Sequence, residues 1–305
     1  MKISSVVVKA PSSTANLGPG FDVFGLAIDA FYDEIKICRK NDSGVKMINV
    51  NKVLINKRNT ATITIRCMKK EFGINDGVSI YLKKGVPIGF GMGSSAASAA
   101  AAAIGFNKLF KLNLDSNSLI KFAGLGEKAS SGTIHYDNVA ASILGGFVIV
   151  KNNPLNVFTV TPPQNLRLCL AIPEIKIADQ KTKLARNVMP SKIKLKDSIY
   201  NLSNATQMVY GFMNNNIKTI GESMNDRIIE ESRKKLIPGF LKVKTSAIKA
   251  GAFGASISGA GPTIIAVADK SSELKKICYA MKKSFNEENV KCNTIICKPS
   301  KGALK

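Results

Sequence analysis

The stretch Pro87-Ile-Gly-Phe-Gly-Met-Gly-Ser-Ser-Ala-Ala-Ser98 decides the fold, because it places a glycine-rich turn between a predicted strand and a long predicted helix. Residues 78–83 alternate between aliphatic and more polar side chains, which predicts a strand, and the alanine-rich residues 94–110 predict a helix. Alternating glycines let the backbone approach a ligand closely. The start of the helix adds unpaired N–H donors and a partial positive charge, so this glycine-rich segment (87–98) predicts a phosphate site.

The pattern of this segment excludes two common phosphate-binding motifs. It lacks the GxxxxGK[ST] of a P-loop, and Ser94 stands where the GxGxxG dinucleotide motif has its third glycine. The hydroxyls of Ser94 and Ser95 are predicted to cap the helix, and a hydroxyl there can also reach a magnesium ion. The alternative is a glycine turn with a serine cap and no ligand.

Two other segments concentrate small polar residues. The first segment (10–22, APSSTANLGPGFD) holds three hydroxyls with Asn16 and Asp22. The third segment (254–263, GASISGAGPT) lies between two predicted strands and could surround an anion with main-chain N–H groups. Each composition is also typical of ordinary turns, so neither establishes a site alone.

The rest of the chain alternates between strand and helix patterns, which predicts an α+β protein. Residues 59–72 suit a helix, although their β-branched run partly favours a strand. A turn-rich stretch with three prolines (154–163) divides the chain into predicted domains of 1–155 and 156–305. Further strands are predicted at 3–10, 31–39, 144–151, 166–172, 263–268 and 290–297, and further helices at 116–129, 197–214, 240–250 and 271–285.

Composition narrows the functional class. The 44 Lys and Arg residues against 21 Asp and Glu give a net charge of +23, which would attract any polyanion. The basic residues are spread in short pairs such as Lys83-Lys84, which predicts a solvated surface rather than a nucleic-acid-binding protein. Six scattered cysteines without a CxxC pair predict reduced thiols. No apolar run is long enough for a membrane span, so the sequence predicts a cytoplasmic protein with no membrane partner.

Together the three segments resemble the three signature motifs of the GHMP kinases. The first segment, with residues 131–140 (SGTIHYDNVA), 182–190 and 233–240, is similar to the homoserine kinase branch of that family. Met92, Ala141 and Ala260 depart from the usual leucine, proline and serine. The resemblance implies a two-domain fold: an N-terminal domain like ribosomal protein S5 domain 2 and a C-terminal ferredoxin-like α/β sandwich.

The resemblance also implies the reaction, the ligands and the site. ATP, with Mg²⁺, would phosphorylate the side-chain hydroxyl of L-homoserine in threonine biosynthesis, and the enzyme would be a homodimer. Ser95 and Glu127 would hold the metal, and these two and Asn138 would form the catalytic set. The expected nucleotide contacts are Asn59, Pro87, Gly89, Gly91, Met92, Gly93, Ser94, Ser95 and Ala96. The expected substrate contacts are Asn16, Asp22, Asn138, Thr182, Arg186, Arg233 and Gly259.

The chemistry of homoserine provides an independent check on the substrate residues. Its carboxylate suits a guanidinium, which binds carboxylates through two parallel hydrogen bonds, and Arg186 and Arg233 are the candidates. Asp22 suits the ammonium, while Asn16 and Asn138 could hold the hydroxyl. His135, the sole histidine, is more typical of a structural role in a turn.

The sequence predicts catalysis by positioning and charge stabilisation. Asn138 stands where mevalonate kinases carry an aspartate base, and it cannot accept a proton in that role. Asp137 is adjacent, but neighbours on an extended segment would point to opposite sides. Three alternatives remain at this stage: a GHMP kinase for shikimate or a mevalonate derivative, a non-catalytic sensor, and a basic nucleic-acid-binding protein.

Overall fold

A computed structural model describes residues 4–51, 59–131, 134–177 and 181–304. Ile3 of the first predicted strand, and Gly132 and Thr133 of the 131–140 stretch, lie outside these residues. The strands are β1 Ser5–Asn16, β2 Gly20–Lys40, β3 Val45–Asn49, β4 Gly77–Lys83, β5 Phe147–Asn152, β6 Leu155–Val160, β7 Leu166–Pro173, β8 Gly254–Ile257, β9 Ile264–Asp269 and β10 Cys292–Cys297. The helices are α1 Thr60–Glu71, α2 Ser94–Phe110, α3 Ser116–Ser131, α4 Asp137–Leu144, α5 Lys181–Asn187, α6 Leu195–Met213, α7 Ile217–Glu222, α8 Ile229–Arg233, α9 Phe240–Lys249 and α10 Leu274–Asn286.

The first six strands form one sheet in the order β3-β4-β2-β5-β6, with β1 also pairing with β2. Helix α2 lies at the centre of the layer packed on this sheet and contacts α1, α3, α4 and the first two strands. Its alanines from Ala99 to Ala103 are fully buried. Short side chains allow close packing on several sides at once, so the alanine run is explained by a central position rather than by one apolar stripe.

The last four strands form a second, antiparallel sheet in the order β10-β7-β9-β8. Helices α9 and α10 pack together against this sheet. The succession β7-α9-β8-β9-α10-β10 is the split β-α-β pattern of ferredoxin-like domains, with α5 to α8 inserted after β7. The predicted α+β class and the ferredoxin-like second domain are confirmed.

The structure differs from the sequence predictions, or decides between them, at several places. The ambiguous residues 59–72 form a helix, because Asn59 caps its start and its β-branched residues pack inward. Residues 10–16 of the first segment, which was predicted as a turn, form the end of β1, with shifts of register at Pro11/Ser12 and Ala15/Asn16, and residues 20–22 begin β2. The chain leaves the first sheet at Val160 and enters the second at Leu166, whereas the predicted division at 155/156 falls at the start of β6. Among the described helices, none is long and apolar enough to cross a membrane.

Candidate active site

The three segments singled out in the sequence meet at one place. The Ser258 hydroxyl donates to the Gly91 carbonyl (2.8 Å) and lies 2.9 Å from the Thr14 hydroxyl, which connects all three segments. The Ser13 main-chain N–H donates to the Met92 carbonyl (3.1 Å). Segments that are separate in sequence are therefore joined by hydrogen bonds into one wall.

Close contact explains two of the glycines in the glycine-rich segment. Gly91 has φ +76°, and a Cβ there would lie 2.2 Å from the Ser258 carbonyl oxygen. Gly93 has φ +66°, and a Cβ there would lie 2.1 Å from the Ser13 hydroxyl. Both the left-handed conformation and the lack of space require glycine.

A cleft of about 390 Å³ opens at this junction. It is bordered by the β1–β2 turn, the starts of α2, α4 and α5, the end of α8 and the β8–β9 turn. The predicted site residues that line it are Asn16, Asp22, Gly89, Gly91, Gly93, Ser94, Ser95, Glu127, Asn138, Thr182, Arg186, Arg233 and Gly259.

Four predicted nucleotide contacts do not line the cleft. The Asn59 side chain accepts a hydrogen bond from Ala61 N (2.9 Å) and caps α1. Met92 and Ala96 are fully buried, so their side chains face the core. Pro87 is half-buried at the start of the glycine-rich segment.

The serines at the start of α2 have different roles. The prediction that they cap the helix was wrong, because Gly93 occupies the cap position. The Ser94 hydroxyl donates to the Val86 carbonyl (2.8 Å) and fixes the turn. Ser95 instead donates to Glu127 Oε2 (2.9 Å). The first N–H groups of α2 have no partner within the helix, and they form its positive end at the cleft.

The Ser95–Glu127 pair fits a magnesium ion by its chemistry. A hydroxyl and a carboxylate are hard oxygen ligands, and Mg²⁺ in kinases is usually bound through one or two carboxylates plus phosphate oxygens. Burial raises the pKa of Glu127 to about 7, against the opposing hydrogen bond from Ser95. A cation would therefore favour the ionised carboxylate. In the described part of the chain no group of three or more His, Cys, Asp or Glu side chains forms a metal cage.

Lys84, which the sequence placed on the solvated surface, is buried beneath the start of α2. Its ammonium forms an ion pair with the fully buried Asp33 and donates to the Ser98 hydroxyl (2.9 Å) and to the Ser94 carbonyl. Burial lowers the pKa of Lys84, and Asp33 opposes that effect. Asp33 also accepts hydrogen bonds from the main-chain N–H groups of Gly85 and Val86, so the ion pair positions the turn that leads into the glycine-rich segment.

Lys181, at the start of α5, also lines the cleft and was not singled out in the sequence. Its ammonium donates to the Gly89 carbonyl (2.9 Å). Burial, with a contribution from Arg233, lowers the pKa of Lys181 to about 7. In a chain with this many lysines no local pattern distinguishes it.

At the opposite end of the cleft, two predicted substrate residues bind each other. Arg186 Nη2 lies 2.7 Å from both carboxylate oxygens of Asp22 and 2.7 Å from His135 Nδ1. Burial acts to raise the pKa of Asp22, but hydrogen bonds with His135 and Arg186 outweigh it and leave that pKa lowered. Arg186 Nε has no hydrogen-bond partner among the described residues. This end of the cleft thus contains a carboxylate and a guanidinium side by side, which could bind the ammonium and the carboxylate of a zwitterion.

Arg233 is almost completely buried rather than a surface residue. Its Nε donates to the Ala185 carbonyl and its Nη1 to the Gly259 carbonyl, both at 3.0 Å. Burial and the nearby Arg186 lower the pKa of Arg233 to about 10, so it stays cationic at neutral pH. Phe21, which the sequence did not single out, lies 5.1 Å from both guanidinium groups and supports them.

Both polar atoms of the Asn16 side-chain amide already form hydrogen bonds within the protein. Its Nδ2 donates to the Gly259 carbonyl (3.0 Å), and its Oδ1 accepts from the main-chain N–H of Asp22 (3.2 Å). Asn16 and Asp22 have positive φ values of 71° and 58°. Such conformations cost free energy and persist where the surroundings impose them, often at functional sites.

The expectation that Asp137 lies on an extended segment was wrong. Asp137 and Asn138 begin helix α4, and both line the cleft. Asn138 Oδ1 accepts from the Ser13 hydroxyl (2.8 Å), and the main-chain N–H of Asn138 donates to Asp137 Oδ1 (2.7 Å). Burial, then repulsion from Asp22, raises the pKa of Asp137 to about 6.

Comparison with known proteins agrees with this geometry. Residues 59–146 match the GHMP kinases N terminal domain, and residues 208–287 match the GHMP kinases C terminal domain. A homoserine kinase from Thermoplasma volcanium is 40% identical over 286 residues, covering 94% of this chain and 92% of that protein. A homoserine kinase from Saccharolobus solfataricus is 38% identical over 304 residues, covering 96% of both.

The chain belongs to the homoserine kinase branch of the GHMP kinase family. A crystal structure of homoserine kinase from Cytophaga hutchinsonii superposes with a TM-score of 0.90 at 36% identity, covering 98% of this chain and 96% of that chain. A mevalonate kinase from L. major superposes with a TM-score of 0.72 at 16% identity, covering 98% of both chains. At this identity the likeness shows only that the two proteins share a fold. The chain is therefore a kinase enzyme.

The three departures from the usual motifs of this branch lie where they change little. The Met92 side chain is fully buried under the glycine-rich segment, and Ala141 is fully buried in the second turn of α4. Ala260 borders the cleft beside Gly259 without a polar group. Met92 and Ala141 replace one apolar side chain with another, whereas Ala260 lacks the hydroxyl of the usual serine at the border of the cleft.

Proposed function

We propose that the chain transfers the γ-phosphoryl group of ATP to the side-chain hydroxyl of L-homoserine, giving O-phospho-L-homoserine in the cytoplasmic synthesis of threonine. The proposal rests on one observation: a single cleft has the N-terminus of helix α2 at one end and the Asp22–Arg186 pair at the other. The helix N-terminus suits a phosphate, and the charged pair suits a zwitterion. Family membership agrees with this assignment.

At the phosphate end, the residues of this chain bind and orient the nucleotide. The N–H groups at the start of α2 receive the phosphates. Lys181 lies beside Gly89, where a phosphate would raise its lowered pKa and favour the charged ammonium. Ser95 and Glu127 would hold Mg²⁺, which neutralises charge on the phosphate oxygens when bound. A loose phosphoryl-transfer transition state requires mainly such positioning and charge stabilisation.

At the homoserine end, the charged groups of the substrate take the place that Asp22 and Arg186 occupy for each other in this structure. The substrate ammonium binds Asp22, and its carboxylate binds Arg186, whose unpaired Nε supplies a donor. Asn138, fixed by Ser13, orients the hydroxyl. Asp137 then receives the hydroxyl proton, because a carboxylate with a pKa near 6 is ionised at neutral pH and more basic than an ordinary aspartate.

An acceptor screen tests the proposal. ATP consumption is measured with homoserine, threonine, shikimate and mevalonate, with Glu127→Gln as the inactive control. We expect kcat/KM for homoserine to exceed that for shikimate and mevalonate at least about a hundredfold, since neither has an ammonium for Asp22. Threonine has both charged groups, but its hydroxyl is one carbon closer to them, so it should also be a poor acceptor. Preference for shikimate or mevalonate would instead support the other GHMP kinases. The proposal includes no nucleic-acid partner, so filter binding of DNA should be weak and strongly salt-dependent.

A further inference from the structure

The segment that follows β10, residues 298–304, leaves the second sheet and returns to the first. We call it the closing segment. The Asp29 main-chain N–H of β2 donates to the Lys298 carbonyl (3.0 Å), and the Lys298 N–H donates to Asp29 Oδ1 (2.9 Å). Farther along, the Ser300 N–H donates to the Ala27 carbonyl (2.9 Å). The closing segment therefore joins the two sheets by hydrogen bonds along β2.

The closing segment then crosses the end of helix α4. The main-chain N–H groups of Ala303 and Leu304 donate to the carbonyls of Ser142 (2.9 Å) and Ile143 (3.0 Å), respectively. Ser142 and Ile143 are among the last four residues of the helix, whose carbonyls have no partner within it. The closing segment thus completes the hydrogen bonding at this end of α4.

The crossing is too close for any side chain. A Cβ on Gly302 would lie 2.3 Å from the Ile143 carbonyl oxygen, and a Cβ on Gly145 would lie 2.1 Å from the Gly302 main-chain nitrogen. The two glycines are far apart in the sequence, and even one added methyl group would displace one main chain from the other. The closing segment and the end of α4 are therefore fixed relative to each other.

Helix α4 carries Asp137 and Asn138 at its start. Its buried side chains are mostly short and apolar, and such packing has no preferred direction, so it opposes sliding along the helix axis only weakly. Asn138 and Ser142 also form hydrogen bonds with β1 through their side chains, which can rotate to follow a displaced helix. The main-chain hydrogen bonds at the end of α4 are directional and cannot follow in that way.

The strand beneath the start of α4 is also held by the closing segment. A Cβ on Gly25 of β2 would lie 2.3 Å from the Asp137 carbonyl oxygen, so the start of the helix rests on this strand. Ala27, two residues farther along β2, binds the closing segment. A slip of α4 by one residue would move Asp137 by about 1.5 Å. Misplacement of a reacting group by about 1 Å can lower a rate about a hundredfold.

We propose that the closing segment is a positioning element of the active site, which holds Asp137 within reach of the acceptor hydroxyl through its hydrogen bonds to the end of α4. This rests on the proposed function, in which Asp137 receives the hydroxyl proton. Among the described residues that line the cleft, none belongs to the closing segment, so it acts only through α4 and β2. A segment that merely joined the two domains would affect stability and leave the rate of the folded enzyme unchanged.

The first test changes the crossing point. Gly302→Ala places a methyl group against the end of α4, and kcat should fall at least about thirtyfold, with KM for ATP and for homoserine within about twofold. Gly44→Ala is the matched control and should leave kcat unchanged, because the nearest atom to a Cβ at this exposed glycine is 3.9 Å away. Thermal melting followed by circular dichroism establishes that each variant is folded at the assay temperature.

A second variant guards against misfolding of the first. A chain that lacks residues 302–305 loses the hydrogen bonds to Ser142 and Ile143 without gaining a clash. Its kcat should fall at least about tenfold, again with KM for both substrates nearly unchanged. A folded variant of either kind with unaltered kcat would overturn the proposal.

A double-mutant cycle with Asp137→Asn separates positioning from a general effect on the fold. If the closing segment acts through Asp137, Gly302→Ala should lower kcat at least about thirtyfold in the unaltered chain but less than about threefold in the Asp137→Asn chain. Equal losses in the two chains, or a higher KM with unchanged kcat, would contradict the proposed positioning.

The same measurements distinguish this proposal from the proposed function. If the acceptor screen selects a compound other than homoserine, the substrate assignment fails, and the cycle is measured with the selected acceptor. If homoserine is phosphorylated but Asp137→Asn leaves kcat unchanged, the substrate assignment stands. In that case the proton-acceptor role of Asp137 and the positioning proposal both fail.

Discussion

The two ends of the cleft are built from different kinds of atoms. At the proposed phosphate end the groups offered to a ligand are main-chain N–H groups at the start of α2, held by Gly91 and Gly93. At the homoserine end they are side chains, Asp22 and Arg186, which bind each other in this structure. The main-chain groups have their geometry before a ligand arrives, whereas Asp22 and Arg186 would have to exchange each other for the charged groups of the proposed substrate.

This difference has consequences for mutation. The phosphate end should be sensitive to changes of backbone conformation and of the groups buried beneath it. The homoserine end should be sensitive to the identity of its charged side chains, and substitutions there should mainly change the affinity for homoserine. Four substitutions test this contrast.

The largest effect is expected beneath the phosphate end. Lys84→Met leaves the buried Asp33 without its cation and should lower the free energy of unfolding by about 3–5 kcal/mol. Lys83, which precedes Lys84 in the sequence, is exposed. Lys83→Met should therefore change the free energy of unfolding by no more than about 0.5 kcal/mol. Urea denaturation measures both. Equal effects of the two changes would contradict the buried ion pair.

Between the two ends, Asp137→Asn removes the proposed proton acceptor. We expect kcat to fall about a thousandfold with KM for both substrates nearly unchanged, because the amide cannot take the proton. Asp115→Asn, which alters another aspartate that accepts a main-chain N–H at a helix start, should leave kcat unchanged. A loss below about a hundredfold would favour catalysis by positioning alone.

At the phosphate end, Gly91→Ala should reduce kcat/KM for ATP about a hundredfold. The new methyl group would meet the Ser258 carbonyl and displace the main chain that binds phosphate. Gly73→Ala provides a matched control, because Gly73 also has a positive φ (61°) but no atom within 4 Å of its added Cβ. Gly73→Ala should lower the free energy of unfolding by only about 1–2 kcal/mol and should leave kcat/KM for ATP unchanged.

The smallest effect is expected at the homoserine end. Arg186→Lys keeps the charge but loses the planar fork and the Nε donor, so KM for homoserine should rise about tenfold with a modest change in kcat. The KM for ATP should not change. Arg66→Lys, at an exposed position of α1, should affect neither. A rise in the KM for ATP would contradict the separation of the two ends.

The turn at the start of α2 could be predicted from the sequence because its requirements are local. Three alternating glycines before an alanine-rich helix indicate a tight turn whatever surrounds it, and five of the nine predicted nucleotide contacts line the cleft. Lys84 and Lys181 were missed because nothing local distinguishes a buried lysine from a solvated one. Only Asp33, far away in sequence, reveals the role of Lys84.

The sequence by itself determined the family, the two-domain α+β fold and the glycine-rich turn before an alanine-rich helix, since each can be read from short motifs whose residues are close together in the chain. The tertiary structure alone decided that Asp22 and Arg186 pair, that Asp137 faces the cleft and that the segment after β10 binds the end of α4. The physical reason is that charge pairing, burial and exposure depend on neighbours that the fold brings from distant parts of the chain.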